Sequence, residues 1–284
     1  MALINPLQAI LWTFRRNEND VVNLYNSLSP VMQLTTGGDM LNFGYWDGAR
    51  TPAAAQRNLC SLVGDIAGLG SASSLVDVGS GLSAPAAKWK SDHGKLFISC
   101  VNINYRQLLS ASGSINSSDG ISLVNATSTA LPFADQSADR VIALESAQHF
   151  RPLDRFVKEC RRILKPGGAL VIAMPVTTRR QASHLRELFT LGLLSFTWSS
   201  EHYELGRVKS AIAENGFHIS EVRLVGNQVY GPLTDYYVEN RQELRQKVLE
   251  EYSSFVERVL YKSLLKMKDV SKKGVIDYAI IHAS

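Results

Sequence analysis

The sequence predicts an α/β protein: a doubly wound, mostly parallel seven-stranded sheet with N-terminal lid helices and an inserted helical cap. Three observations carry this. Short apolar runs recur without strict polar alternation, which marks strands buried on both faces, as in parallel sheets. Amphipathic stretches at helical spacing separate them. A glycine turn, "VDVGSGLSA", joins the first run to the first such stretch, as expected where a strand feeds a helix at a nucleoside site.

In chain order, the start "MALINPLQAILWTFRR" is apolar, with Arg15 and Arg16 following the apolar part. A signal peptide has the reverse order and a small-residue cleavage site, which is not evident here. Two readings stand: a helix packed on the main domain as part of a lid, which we favour, and a helix lying on a membrane surface through Leu3, Ile4, Leu7, Ile10, Leu11 and Phe14. The strands follow as "SLVDVG", "LFISCVNI", "ISLVNA", "DRVIALES" and "GALVIAMPV", the last entered through Pro166-Gly167-Gly168. "LDRFVKECRRIL" is the clearest helix, with Leu153, Phe156, Val157, Cys160, Ile163 and Leu164 at helical spacing. "ASHLRELFTLGLLSFTW" reads as an apolar helical insertion able to cover a site. A helix ending at Gly216, the strand "FHISEVRLVG", a long helix striped by Tyr252, Phe255, Val256, Val259 and Leu260, and the strand "IDYAIIHAS" complete the pattern. The expected division is 1–50 as lid or extension and 51–284 as the main domain, with the cap around 178–204.

Composition narrows the function. The net charge of +4 comes without a concentrated basic face, so nucleic acid is not an expected partner. The three cysteines, Cys60, Cys100 and Cys160, are far apart and form no CxxC. That pattern suits neither a metal site nor a disulfide framework and fits a reducing compartment, hence a cytoplasmic location. The membrane-surface reading of residues 1–16 adds peripheral contact as an alternative. No run approaches the ~18 apolar residues of a membrane-spanning helix.

Gly79, Gly81 and Ala84 fit the spacing G-x-G-x-x-G/A. Glycine there permits positive φ and close backbone approach to a ligand. The spacing alone admits several nucleoside cofactors, or only a tight turn. Asp77 inside the preceding strand discriminates: it would repel a pyrophosphate but suits a ligand carrying an ammonium or sulfonium group.

Taken together, "LVDVGSGLSA", "CVNINYRQL", "ATSTALPFADQSADRVIALESAQHF" and "CRRILKPGGALVIA" resemble the class I S-adenosylmethionine-dependent methyltransferases, with their Rossmann-like fold. The subgroup resembled acts on small molecules and lipids, including natural products, tocopherols and sterols. The upstream "LYNSLSPVMQLTTGGDMLNFGYWDG" resembles its N-terminal lid. The resemblance implies S-adenosyl-L-methionine as cofactor and a small-molecule or lipid-like acceptor. It implies that Asp77, Gly79, Ser80 and Gly81 hold the methionine part, with Ser83 in place of a third glycine. Asn102 and Ile103 stand where an acid usually grips the ribose, and Gln107 lies in the cofactor-proximal stretch. Asn125 and Ala126 stand where an Asp usually accepts from the adenine amine. Glu145 and Ser146 end the fourth strand on the sulfonium side, and Tyr25, Tyr45 and Trp46, with Phe43, belong to the lid. Two acid-to-amide departures, Asn102 and Asn125, weaken or remodel this site, or mark a chain that has lost methyl transfer.

The same resemblance implies an active-site role for His149, at the end of "ALESAQHF". A hydroxyl acceptor benefits from a base, and histidine titrates in the right range. The acid that some relatives place after the fifth strand is missing; "VIAMPV" offers Met174 and Pro175. His184, His202 and His218 fall in the cap or later. The expected function is therefore methyl transfer to a small, largely apolar acceptor, with oxygen favoured over carbon or nitrogen. The alternatives are a scaffold that has lost tight cofactor binding and a cyclase built on the same fold. A nicotinamide oxidoreductase lacks the acid expected after the second strand.

Overall fold

A computed structural model describes residues 17–115, 120–178 and 201–284. The reading of residues 1–16, and most of the cap expected around 178–204, lie outside these residues. The sheet strands are β1 (Ser74–Val78), β2 (Phe97–Asn102), β3 (Ile121–Asn125), β4 (Ala138–Leu144), β5 (Leu164–Thr177), β6 (Ile219–Leu224) and β7 (Ile276–Ala283). They lie in the order β3-β2-β1-β4-β5-β7-β6. The first five pair in parallel, whereas β7 runs antiparallel to both β5 and β6.

Both sheet faces are buried, which explains the continuous apolar runs. Leu75 and Ile98 face one core with Leu59, Trp89 and Tyr230. Val76, Val78 and Val101 face the other with Phe156 and Ile163. The helices covering them are α1 (Glu18–Thr36), α2 (Pro52–Ile66), α3 (Ala84–Asp92), α4 (Tyr105–Ala111), α5 (Leu153–Ile163), α6 (Leu205–Glu214), α7 (Gly226–Glu239), α8 (Arg241–Glu251) and α9 (Ser254–Lys272).

Local chemistry starts these helices. Asn17 caps α1: its side chain accepts from the Asn19 amide while Asp20 accepts from the Asn17 amide, satisfying free N–H groups of the first turn. Thr51 caps α2 with Pro52 following, where the missing N–H of proline costs nothing. The expected single long helix before the last strand is three helices. Tyr252 ends α8 and turns into a small cluster with Val31 of α1 and Val248 of α8. The lid helix is therefore packed against the C-terminal half of the chain. Among the described residues, no helix is long and apolar enough to cross a membrane.

Candidate active site

The strand order reverses between β1 and β4, and open α/β sheets hold ligands at such a point, beyond the carboxyl ends of the strands. A cleft lies there, walled by the strand ends and by α1. It brings together Tyr25, Ser80, Gly81, Asn102, Ile103 and Gln107 with Gly79, Ala126, Glu145, Ser146 and His149. These are eleven of the fifteen residues expected from the sequence.

Gly79 adopts φ +79°, and a Cβ there would lie 2.3 Å from Cβ of Ser146. Only glycine lets the turn after β1 seat against the end of β4. Ser146 completes the joint by donating to the Val78 carbonyl at 2.6 Å. Gly81 also has positive φ, but a Cβ there would meet only Leu41, at 3.7 Å. It faces the cleft. Ser83, at the position of the third glycine, is left-handed at φ +59°. It is fully buried, and its hydroxyl donates to that of Ser80 at 3.2 Å.

Asp77 is not in the cleft wall. It lies on the Leu75 side of β1, 2% exposed, and its Oδ2 has no hydrogen-bond partner among the described residues. Burial pushes its carboxyl up to about 7. An orphaned carboxyl two residues before a glycine cradle suits a ligand with a cationic end. The site thus fits S-adenosylmethionine on its own geometry.

Asn102 is not a bare replacement for an acid. Its Nδ2 donates to the Gly81 carbonyl at 3.0 Å and to Gln107 Oε1 at 2.8 Å, while its Oδ1 accepts from the Asn104 amide at 3.1 Å. A carboxylate could not make the first two bonds. Gln107 continues the chain by donating to Ser29 of α1 at 3.0 Å. The glycine turn is thereby wired to the lid helix, with one lone pair of Asn102 left for a ligand.

Asn125 departs from expectation. Its Nδ2 donates to the Asn102 and Ile103 carbonyls at 2.8 and 3.0 Å, which draws the side chain out of the cleft wall; Ala126 and Ser128 line it instead. Tyr45 and Trp46 are a second correction. Trp46 stacks on Tyr236 of α7 with centroids 5.5 Å apart and donates from Nε1 to the Phe43 carbonyl. Tyr45 packs against the core on the Leu59 side. Both fasten the lid segment to the body and neither lines the cleft.

Glu145 lies in the wall with φ +49°, a strained backbone for a side chain with Cβ. Its Oε1 accepts from the Phe43 amide at 2.9 Å, and its own amide donates to the Ala173 carbonyl at 2.7 Å. Strain held by such bonds is a mark of functional positions. Burial pushes its carboxyl up to about 8.

His149 ends a short turn, Ala147–His149, beyond β4, and is 6% exposed. The Tyr25 hydroxyl of α1 lies 2.9 Å from Nε2, with the rings edge to face. Two expected candidates lie elsewhere: His202 is outside the cleft wall, before α6, and His218 precedes β6 and pairs by backbone with Ser284. His184 is outside the described residues.

Sequence reasoning missed Glu18, Asp39, Asn42, Asn104, Ser128 and Phe150, all in the cleft wall. Two carried local signals. Asn104 caps α4 through the Arg106 and Gln107 amides, and Glu18 follows the Asn17 cap. The others are placed by long-range packing.

The methyltransferase domain family matches residues 76–172, the span from β1 into β5. Erythromycin 3''-O-methyltransferase of Saccharopolyspora erythraea is 27% identical over 288 residues, covering 96% of this chain and 92% of the relative. The crystal structure of the cyclase SpnF superposes with a TM-score of 0.76 at 21% identity, over 94% of this chain and 95% of that one. The mycolic acid cyclopropane synthase CmaA1, complexed with SAH and CTAB, superposes with a TM-score of 0.74 at 18% identity, over 92% and 95%. At these identities the two structures speak for the fold alone.

Proposed function

We propose that this chain, a class I S-adenosylmethionine-dependent methyltransferase, methylates a hydroxyl of a small, largely apolar natural product. The observation that carries the reading is His149, buried in the cleft wall beside Glu145 and Ser146, with Tyr25 on its Nε2. A relative similar over nearly its full length is named for O-methylation of a natural product, which supports oxygen as the methylated atom.

Bound in the cleft, the cofactor supplies a methyl group already activated by its sulfonium. Gly79, Ser80 and Gly81 would cradle it, Asn102 would accept from it, and Asp77 would favour its cationic end through space. The remaining tasks are alignment of the acceptor and exclusion of water. The lid does the second: α1 is held to the body by the Tyr25–His149, Ser29–Gln107 and Asn26–Asn104 bonds. His149 serves the acceptor. Where Tyr25 donates to Nε2, that nitrogen is basic, and a hydroxyl that takes the place of Tyr25 can leave its proton there.

The amide at position 102 speaks against the scaffold alternative, because its bonds build the site and an acid would break them. Three buried free thiols support a cytoplasmic setting. The His149→Ala variant should bind S-adenosylhomocysteine as the wild type does and lose transfer to a hydroxyl by about 10²–10⁴-fold. Calorimetry and a turnover assay with a hydroxylated macrolide or aromatic acceptor check both. Unchanged turnover would rule out His149 as the base, and failure of the wild type to bind either sulfur ligand would restore the scaffold reading.

A further inference from the structure

The withdrawal of Asn125 leaves one task unfilled at the end of β3. A nucleoside on a doubly wound sheet starts at the first glycine turn and places its ribose at the end of the next strand. Its base then falls toward the end of β3. An adenine there presents an exocyclic amine, which donates and needs an acceptor. The amides nearby are displaced or engaged: the Asn125 side chain lies outside the cleft wall. Asn125 faces backbone carbonyls, and Oδ1 of Asn104 already accepts from the Arg106 and Gln107 amides.

A charged acceptor at this end stands on the lid. Glu18, the first residue of α1, lines the cleft with Ala126 and Ser128. The Thr127 hydroxyl donates to its Oε1 at 2.5 Å, which fixes the carboxylate over the end of β3. One such bond leaves most of the accepting capacity of a carboxylate free. The position is also electrostatically suited, since helix N-termini stabilise negative charge.

We infer that Glu18 accepts the hydrogen bond from the adenine amine, so that the base is recognised by the lid helix rather than by the sheet. The inference rests on the methyltransferase reading of the cleft. It makes cofactor recognition and lid closure a single event, because the residue that reads the base is carried by the element that covers it.

The test compares S-adenosylhomocysteine with S-inosylhomocysteine, in which oxygen replaces the amine, by calorimetry on the wild type, Glu18→Ala and Glu18→Gln. The wild type should prefer the adenosyl ligand. Glu18→Ala should weaken that ligand by about 10–100-fold, the loss of a hydrogen bond to a charged group, and leave the inosyl ligand nearly unchanged. Glu18→Gln keeps an acceptor oxygen and should retain part of the preference. Equal weakening of both ligands would mean that Glu18 only fastens the lid through Thr127, and an unaltered preference would mean that the base lies elsewhere; either overturns the assignment. If the wild type bound neither ligand, the methyltransferase reading would fail first, and this assignment with it.

Discussion

Two carboxyls in and beneath the site carry a measurable signature. Asp77 is pushed up to about 7 and Glu145 to about 8, both by burial, whereas in an unfolded chain both lie near 4. Between about pH 4 and 8 the folded protein therefore holds protons that the unfolded chain releases, and stability falls as pH rises through that window. Urea unfolding of the ligand-free protein should show stability falling by several kcal/mol between pH 5 and pH 8. Asp77→Asn should flatten the slope, and an already flat wild-type profile would mean that both groups ionise freely in the fold. At this scale the sequence was legible where chemistry is local. Gly79, Gly81, Glu145 and His149 sit at strand ends, and the strand pattern alone puts them on one edge. The partner of His149 was not legible, because Tyr25 reaches it from a different element and no spacing rule links the two. Asn125 was misread for a related reason: its position is on the site edge, but two backbone carbonyls compete for its amide.

At the scale of elements, the docking of α1 is the part that sequence left open. The lid was placed near the site, yet its second support, the α8 surface, was hidden inside an apolar stripe that matched one continuous helix. Tyr252 belongs to that stripe by spacing, but it ends α8 and packs with Val31 and Val248, a cluster against which Val256 and Leu260 of the stripe also lie. Val248 is fully buried there. Val248→Ala should cost about 2 kcal/mol through the cavity it leaves. It should also raise amide exchange in α1 more than in β1 or β4, as read by hydrogen–deuterium exchange. Uniform loosening of the whole sheet would show instead that α1 and α8 do not form a separable contact. The parallel strands β1 to β4 match the apolar runs read for them closely, whereas β5 starts at Leu164, ahead of the run read from Gly168 and at a residue assigned to the helix before it.

Taken as a whole, the molecule sets a net charge of +4 against a cleft whose described wall holds the carboxylates of Glu18 and Asp39 and no lysine or arginine, while Glu145, pushed up to about 8 by burial, adds its charge only at higher pH. Such a wall attracts cations locally whatever the overall charge. S-adenosylmethionine carries a sulfonium charge that its demethylated product lacks, so the affinity ratio of cofactor to product should fall as salt is added. Titrations of both ligands at low and high ionic strength check this, and a salt-independent ratio would show that the wall is screened already. The order of the sheet holds another consequence. β7 lies between β5 and β6 and supplies the antiparallel pairing of both. Until Ile276–Ala283 has been synthesised, β6 has no neighbour among the described strands, and β5 presents a bare edge. A nascent or truncated chain lacking those residues would expose a long apolar template for association with other chains. Its early stop codons should therefore yield insoluble protein rather than a merely weakened enzyme.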